Sequence, residues 1–142
     1  VPKAEMHVVY RCCEELRDAI ALGAVLRPSD SADAESVGRQ IDVYRKKRQE
    51  SQPREPSAGC IFKNPEGGSA GELIDEAGLK GARIGGAEVS PVHGNFIVNR
   101  SGASGRDVVD LVRKVRSEIL ERKRIALEPE AQLWGKRWED VL

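Results

Sequence analysis

No apolar run in this chain approaches the roughly 20 residues that cross a bilayer, and no apolar signal segment precedes a small-residue cleavage site. Neither sign of charge is in excess, since 23 lysines and arginines balance 23 aspartates and glutamates. No overall field would draw the protein onto nucleic acid or an anionic membrane, so any anion site must be local. Cysteine is sparse: there are three, with Cys12 and Cys13 adjacent, and an odd set does not suggest a disulfide framework. A soluble, cytoplasmic protein in a reducing compartment is the expectation. The two histidines and these cysteines lack the paired spacing of a zinc site, and His7 near Cys12 and Cys13 reads as incidental. The glycine pairs at Gly67 and Gly68 and at Gly85 and Gly86 match neither the dinucleotide fingerprint nor the Walker pattern. The first residue is Val1 rather than methionine, which predicts a piece of a longer protein.

What is present suffices for one core: 142 residues, 39% of them hydrophobic, make one domain of ordinary size and leave no room for a second. Ile20, Leu22, Val25 and Leu26 read as a strand over about 19–27. After Pro28, the apolar residues Ala34, Val37, Ile41 and Tyr44 have helical spacing and predict an amphipathic helix within 29–51, capped by Asp30 or Ser31. Its basic end, Arg45 to Arg48, is either a solvated terminus suited to the helix dipole or a contact for an anion. Residues 52–68 read as loop, with a short strand at 60–62. Ser69 then caps a short helix over about 70–77 that stops at Gly78. Strand pieces at 82–84 and 96–99 flank Gly85, Gly86 and Gly94. Ser104 with Asp107 opens a long helix to about Lys123, whose stripe is Val108, Leu111, Val112, Val115 and Ile119. A last strand over 125–133 precedes a polar tail.

The run Pro-Ser-Ala-Gly-Cys-Ile-Phe-Lys-Asn-Pro, from Pro56 to Pro65, gathers a thiol, a cation and a carboxamide in a turn framed by proline and glycine. Cys60 is either a small buried hydrophobe or, with a thiol pKa near the usual value of about 8.5, a general acid that stays protonated near pH 7. Glu128 and Glu130 flank Pro129 and are either exposed carboxylates or, for one of them, a partner to charge developing near the thiol.

These motifs have a joint resemblance. The Pro56–Pro65 run is followed by Ala-Gly-Glu-Leu-Ile at 70–74, Ala-Gly-Leu-Lys-Gly at 77–81, Gly-Gly-Ala-Glu-Val-Ser at 85–90, His-Gly-Asn-Phe-Ile-Val-Asn at 93–99 and Leu-Glu-Pro-Glu at 127–130. Together with Tyr10-Arg11 and Gln52-Pro53, they closely resemble the C-terminal substrate domain of the UDP-N-acetylenolpyruvoylglucosamine reductase (MurB) family. The resemblance implies a flavoenzyme of peptidoglycan precursor synthesis. NADPH reduces FAD, and the substrate UDP-N-acetylglucosamine enolpyruvate becomes UDP-N-acetylmuramate. It further implies that Cys60 donates the proton to C2 and that Glu130, rather than Glu128, polarises the substrate carboxylate. Tyr10, Lys63 and Asn64 resemble substrate contacts, with Arg48, or Lys47 beside it, as a further cation. His93 is either a substrate-side residue or a structural turn histidine. The family's FAD-binding domain and its catalytic arginine have no counterpart here, so no residue is assigned to the flavin and the chain alone is expected to be inactive.

The fold class expected is α+β, a small mainly antiparallel sheet packed with two long helices. Residues 1–28 would be the tail end of a preceding region and 29–142 the substrate-binding and catalytic domain. Two other readings stand beside the reductase. One is a UDP-sugar-binding module that never meets a flavin; the other is a redox-sensing domain using Cys12, Cys13 and Cys60.

Overall fold

A computed structural model describes residues 1–142. By its internal contacts the chain divides into two units, Val1–Val37 and Gly38–Leu142.

The first unit is built on a small hairpin. Strands β1 (Val8–Val9) and β2 (Cys12–Cys13) pair antiparallel, Val8 with Cys13 and Val9 with Cys12. The turn between them is Tyr10 and Arg11, and Arg11 takes φ 58° to close it. Beyond β2 a single 3-10 turn, Glu14–Leu16, brings the Glu15 carboxylate back onto His7. That carboxylate accepts the His7 backbone N–H at 2.9 Å and contacts the His7 ring Nδ1 at 2.8 Å. It also accepts the Cys13 thiol at 3.2 Å. Residues 19–27 have no regular structure, and Ile20, Leu22, Val25 and Leu26 are exposed. The expected strand is absent there because no neighbouring strand pairs with it, and an extended segment is a strand only when its backbone groups are laddered.

Helix α1 (Ala34–Ser51) begins later than the sequence places it, because its cap is Asp33 rather than Asp30 or Ser31. The Asp33 carboxylate accepts the Ser36 backbone N–H at 2.8 Å and the Ser36 hydroxyl at 2.6 Å, ahead of either residue expected to do so. No residue of α1 is buried: its apolar stripe, Val37, Ile41 and Tyr44, is exposed.

The second unit holds the core. Four antiparallel strands, β3 (Ser57–Cys60), β4 (Arg83–Ile84), β5 (Ala87–Val89) and β6 (Phe96–Asn99), lie in the order β3-β6-β5-β4. The helix α2 (Ala70–Glu76) packs on α3 (Gly105–Lys123), and α3 packs on β4 and β5. Ser69 caps α2 by accepting the Glu72 N–H, and Ser104 and Asp107 form a reciprocal capping box on α3. Leu111, Val112, Val115 and Ile119 are the buried face of α3, as the stripe predicts. They close over Ile74, Ala87, Val89 and Ile97, with Ile61, Phe62 and Leu127 completing the cluster.

Strand β3 lies ahead of the short strand expected at 60–62, ending at Cys60, and two further features depart from the sequence reading. Strand β5 is wholly buried although its middle residue is Glu88. The carboxylate is tolerated because Arg83 at 2.6 Å and Arg100 at 3.1 Å neutralise it. Residues 125–133 form no strand; a single bridge joins Phe62 to Pro129. Proline has no N–H to continue a ladder, so the segment is held by one bond on each side of it, Lys63 N–H to the Glu128 carbonyl at 2.8 Å and Glu130 N–H to the Ile61 carbonyl at 2.7 Å. The tail beyond is anchored through Trp138, whose indole N–H donates to the Ala131 carbonyl at 2.5 Å.

Candidate active site

Strand β3 ends at Cys60, opposite Phe96 of β6, after a register shift between Ser57 and Cys60. Gly59 takes φ 82° at that shift, which a side chain would adopt only with strain. Bulges of this kind re-aim the residue that follows them, and here that residue is the half-buried Cys60. A Cβ built on Gly59 would meet nothing within 4 Å, so the backbone there is open to an approaching molecule.

Beside it lies a cavity of about 410 Å³ lined by Arg45, Arg48, Gln52, Arg54, Gly59 and Phe96 among others. Arg48 is oriented by Gln52, its Nε donating to the amide oxygen at 2.9 Å, and Arg45 lies 3.4 Å from Asp42. Three guanidiniums around one cavity concentrate positive charge locally, although the total charge is balanced.

On the other side of Cys60 the chain enters the core at Ile61 and Phe62, both 2% exposed. Ile61 is tied twice: its N–H donates to the Asn95 carbonyl at 2.9 Å, and its carbonyl accepts the Glu130 N–H at 2.7 Å. Glu130 is thus fixed to the residue that follows Cys60, although the two lie far apart in sequence. Lys63 and Glu128 are joined by their side chains as well as through their backbones. The Asn64 side-chain oxygen accepts the Ala70 N–H at 3.1 Å, at the start of α2.

Cys60, Lys63, Asn64 and Glu130 therefore belong to one loop and the segment bonded to it, with Arg48 at the adjoining cavity. His93 sits apart, against α2. Its Nδ1 accepts the Asn95 N–H at 3.1 Å, its ring meets Phe96 edge-on at 4.9 Å, and it lines a smaller hollow with Gly71 and Lys80. Tyr10 belongs to the hairpin of the first unit, with the Arg11 guanidinium 5.4 Å from its ring. No cluster of three or more His, Cys, Asp or Glu side chains is placed to hold a metal ion.

Sequence reasoning missed Arg54 and Asn95, and named Arg45 only as part of the basic end of α1, where Arg45 and Arg48 stand three apart on one helix.

Residues 52–134 match the family described as the C-terminal domain of UDP-N-acetylenolpyruvoylglucosamine reductase. The chain belongs to this family. A UDP-N-acetylenolpyruvoylglucosamine reductase of Prochlorococcus marinus is 50% identical over 95% of this chain and 46% of its own length. One of Anaeromyxobacter dehalogenans is 43% identical over 100% of this chain and 43% of its own length. The crystal structure of the reductase from Thermus caldophilus matches with a TM-score of 0.64 and 45% identity, covering 75% of this chain and 37% of that one. The chain spans about half the length of these curated relatives. Cys60, Lys63, Asn64, His93 and Glu130 fall inside the matched region of the reductase domain, while Tyr10 and Arg48 precede it.

Proposed function

We propose that this chain is the substrate-binding and proton-donating part of a flavin-dependent reductase, acting on UDP-N-acetylglucosamine enolpyruvate in peptidoglycan precursor synthesis. The observation that carries this reading is the pairing of the Ile61 peptide with Glu130, next to Cys60 and beside the arginine-lined cavity. Residues 29–142 are the working domain in this reading and residues 1–28 the end of a preceding region, with a cytoplasmic location for the whole.

The residues around Cys60 suit the substrate. The guanidiniums of Arg45, Arg48 and Arg54 suit the diphosphate, with Asn64 and Lys63 as further donors. A cavity of about 410 Å³ suits part of a nucleotide sugar better than a whole flavin dinucleotide. We therefore assign FAD and NADPH to protein outside this chain. The chemistry that a flavin bound there would supply is a hydride for the enolpyruvyl group.

The chain's own residues handle the charge and the proton. Glu130 acts at the substrate carboxylate and polarises it as charge develops on the enolpyruvyl group. Cys60 then gives its thiol proton to C2, the C–H bond forms as the S–H bond breaks, and the thiolate regains a proton from water. The acid must be protonated at the start of each cycle. His93 serves as either a substrate-side residue or a turn residue, and its bond to Asn95 favours the second.

The test is Cys60→Ala in the whole flavin-bearing protein. Ligand affinity should stay within about threefold while turnover falls by about 10²- to 10⁴-fold. Turnover within tenfold of the parent would sink the proton-donor role. A whole protein that binds the UDP-sugar but never reduces it would leave the binding module. The redox-sensor reading is disfavoured at Cys13, where the hydrogen bond to the Glu15 carboxylate pushes the thiol pKa up, away from the thiolate a sensor needs.

A further inference from the structure

Asn95 makes a hydrogen bond through every polar group it has. Its side-chain oxygen accepts the Phe62 N–H at 2.9 Å and its side-chain nitrogen donates to the Phe62 carbonyl at 2.8 Å. Its backbone carbonyl accepts the Ile61 N–H at 2.9 Å, and its own N–H donates to His93 Nδ1 at 3.1 Å. The residue is 3% exposed, so these bonds are made out of water, where an unmade one is costly.

The peptide it grips is the one on which the site is built. Cys60 immediately precedes Ile61, and Lys63 and Asn64 follow Phe62. Across from Asn95, the same three residues receive Glu130 at Ile61, Pro129 at Phe62 and Glu128 at Lys63. Strand β3 itself ends at Cys60, and the last backbone bond from it toward the β6 side is that of Ile61 to Asn95. At Phe62 the carboxamide of Asn95 takes over, imitating a strand partner with one donor and one acceptor. A different residue could fill the volume, but an aliphatic one would leave both Phe62 groups unpaired, and a carboxylate would pair only one of them.

We propose that Asn95 is the positioning residue of this site, setting the place of the Cys60 thiol and the Glu130 carboxylate relative to each other through Ile61 and Phe62. The proposal rests on the reductase reading above for its catalytic consequence, but its geometric content does not depend on it.

The test compares Asn95→Asp and Asn95→Ala with the parent in the whole flavin-bearing protein. Asn95→Asp is isosteric and keeps the acceptor for the Phe62 N–H, and the melting temperature of each variant separates loss of folding from loss of positioning. The first readout is the rate of Cys60 alkylation by iodoacetamide against pH, resolved by peptide mass, with Cys12 and Cys13 as internal controls. A change of more than about threefold at Cys60, with the controls unchanged, is expected. The second is steady-state turnover, where kcat should fall by about 10²-fold with KM within about threefold. The third is reduction in deuterated water: the parent should place deuterium on one face of C2, and Asn95→Asp on both faces as water replaces the displaced thiol. Loss of melting temperature alone, with Cys60 alkylation and facial selectivity unchanged, overturns the proposal and leaves Asn95 a structural residue. A parent that shows no turnover sinks the reductase reading instead, and the alkylation readout then decides the role of Asn95 by itself.

Discussion

The backbone N–H of Glu130 donates to the carbonyl of Ile61 at 2.7 Å, tying the carboxylate candidate to the residue directly after the thiol candidate. The neighbouring Glu128 is bound differently, with its side chain paired to Lys63 and 67% exposed. The two glutamates around Pro129 therefore differ in what their removal should do.

Glu130→Gln should lower kcat in the whole reductase by about 10²-fold, the usual loss when one group that stabilises developing charge is removed. Glu128→Gln should change it by less than about threefold, because an exposed ion pair contributes little. Parallel steady-state kinetics on both variants check this, and a larger loss at Glu128 would reverse the assignment.

Arg48 and Arg54 line the cavity beside Gly59, and each should act on substrate binding rather than on the chemical step. Arg48→Ala and Arg54→Ala are expected to raise the Kd for the UDP-sugar by about tenfold each, the cost of one charge-assisted hydrogen bond to phosphate. Added salt should narrow the gap between parent and variant. Titration calorimetry at two ionic strengths reads both effects, and an unchanged Kd in the arginine variants would move the diphosphate elsewhere.

Much of this was legible before any coordinates. Ser104 and Asp107, with the stripe through Val108 and Ile119, announced α3 in full because local capping and burial pattern agree there. Cys60, Lys63 and Asn64 were legible as one loop because they are neighbours in the chain. Strand β5 was hidden: a three-residue strand with Glu88 at its centre carries no alternation, and its burial depends on Arg83 and on Arg100, far along the chain. The stretch 125–133 read as a strand from its composition, but Pro129 reduces it to a bridge. Asn95 was invisible as a site residue because its value lies in a pairing 33 residues away in sequence, which no local pattern reports.

Acid should open the hairpin of the first unit. The His7 backbone N–H, foremost among the donors facing it, lowers the Glu15 carboxyl from 4.5 to about 2. A carboxyl whose pKa is depressed on folding gives stability that is present above its unfolded pKa and lost as pH falls through the folded one. Amide protection at His7 should therefore decline between pH 4.5 and about 2. Glu15→Gln should flatten that dependence, and a hairpin equally acid-sensitive without Glu15 would assign the effect to another group.

Two glycines near the site are required for different reasons, and substitution separates them. Gly59 has open space but a φ of 82°, so Gly59→Ala should cost about 1–2 kcal/mol in backbone strain. Gly94 has no positive φ, but a Cβ there would lie 2.6 Å from the Gly71 carbonyl oxygen and 3.3 Å from Ile74. Gly94→Ala should cost about 1–3 kcal/mol by forcing α2 and the start of β6 apart. Asparagine tolerates left-handed backbone better than alanine, so Gly59→Asn should recover part of the loss. Gly94→Asn, being larger, should be worse than alanine. Chemical denaturation of the four variants gives the comparison. If asparagine helped at both positions or at neither, backbone conformation and steric contact would not be the separate causes that the geometry assigns.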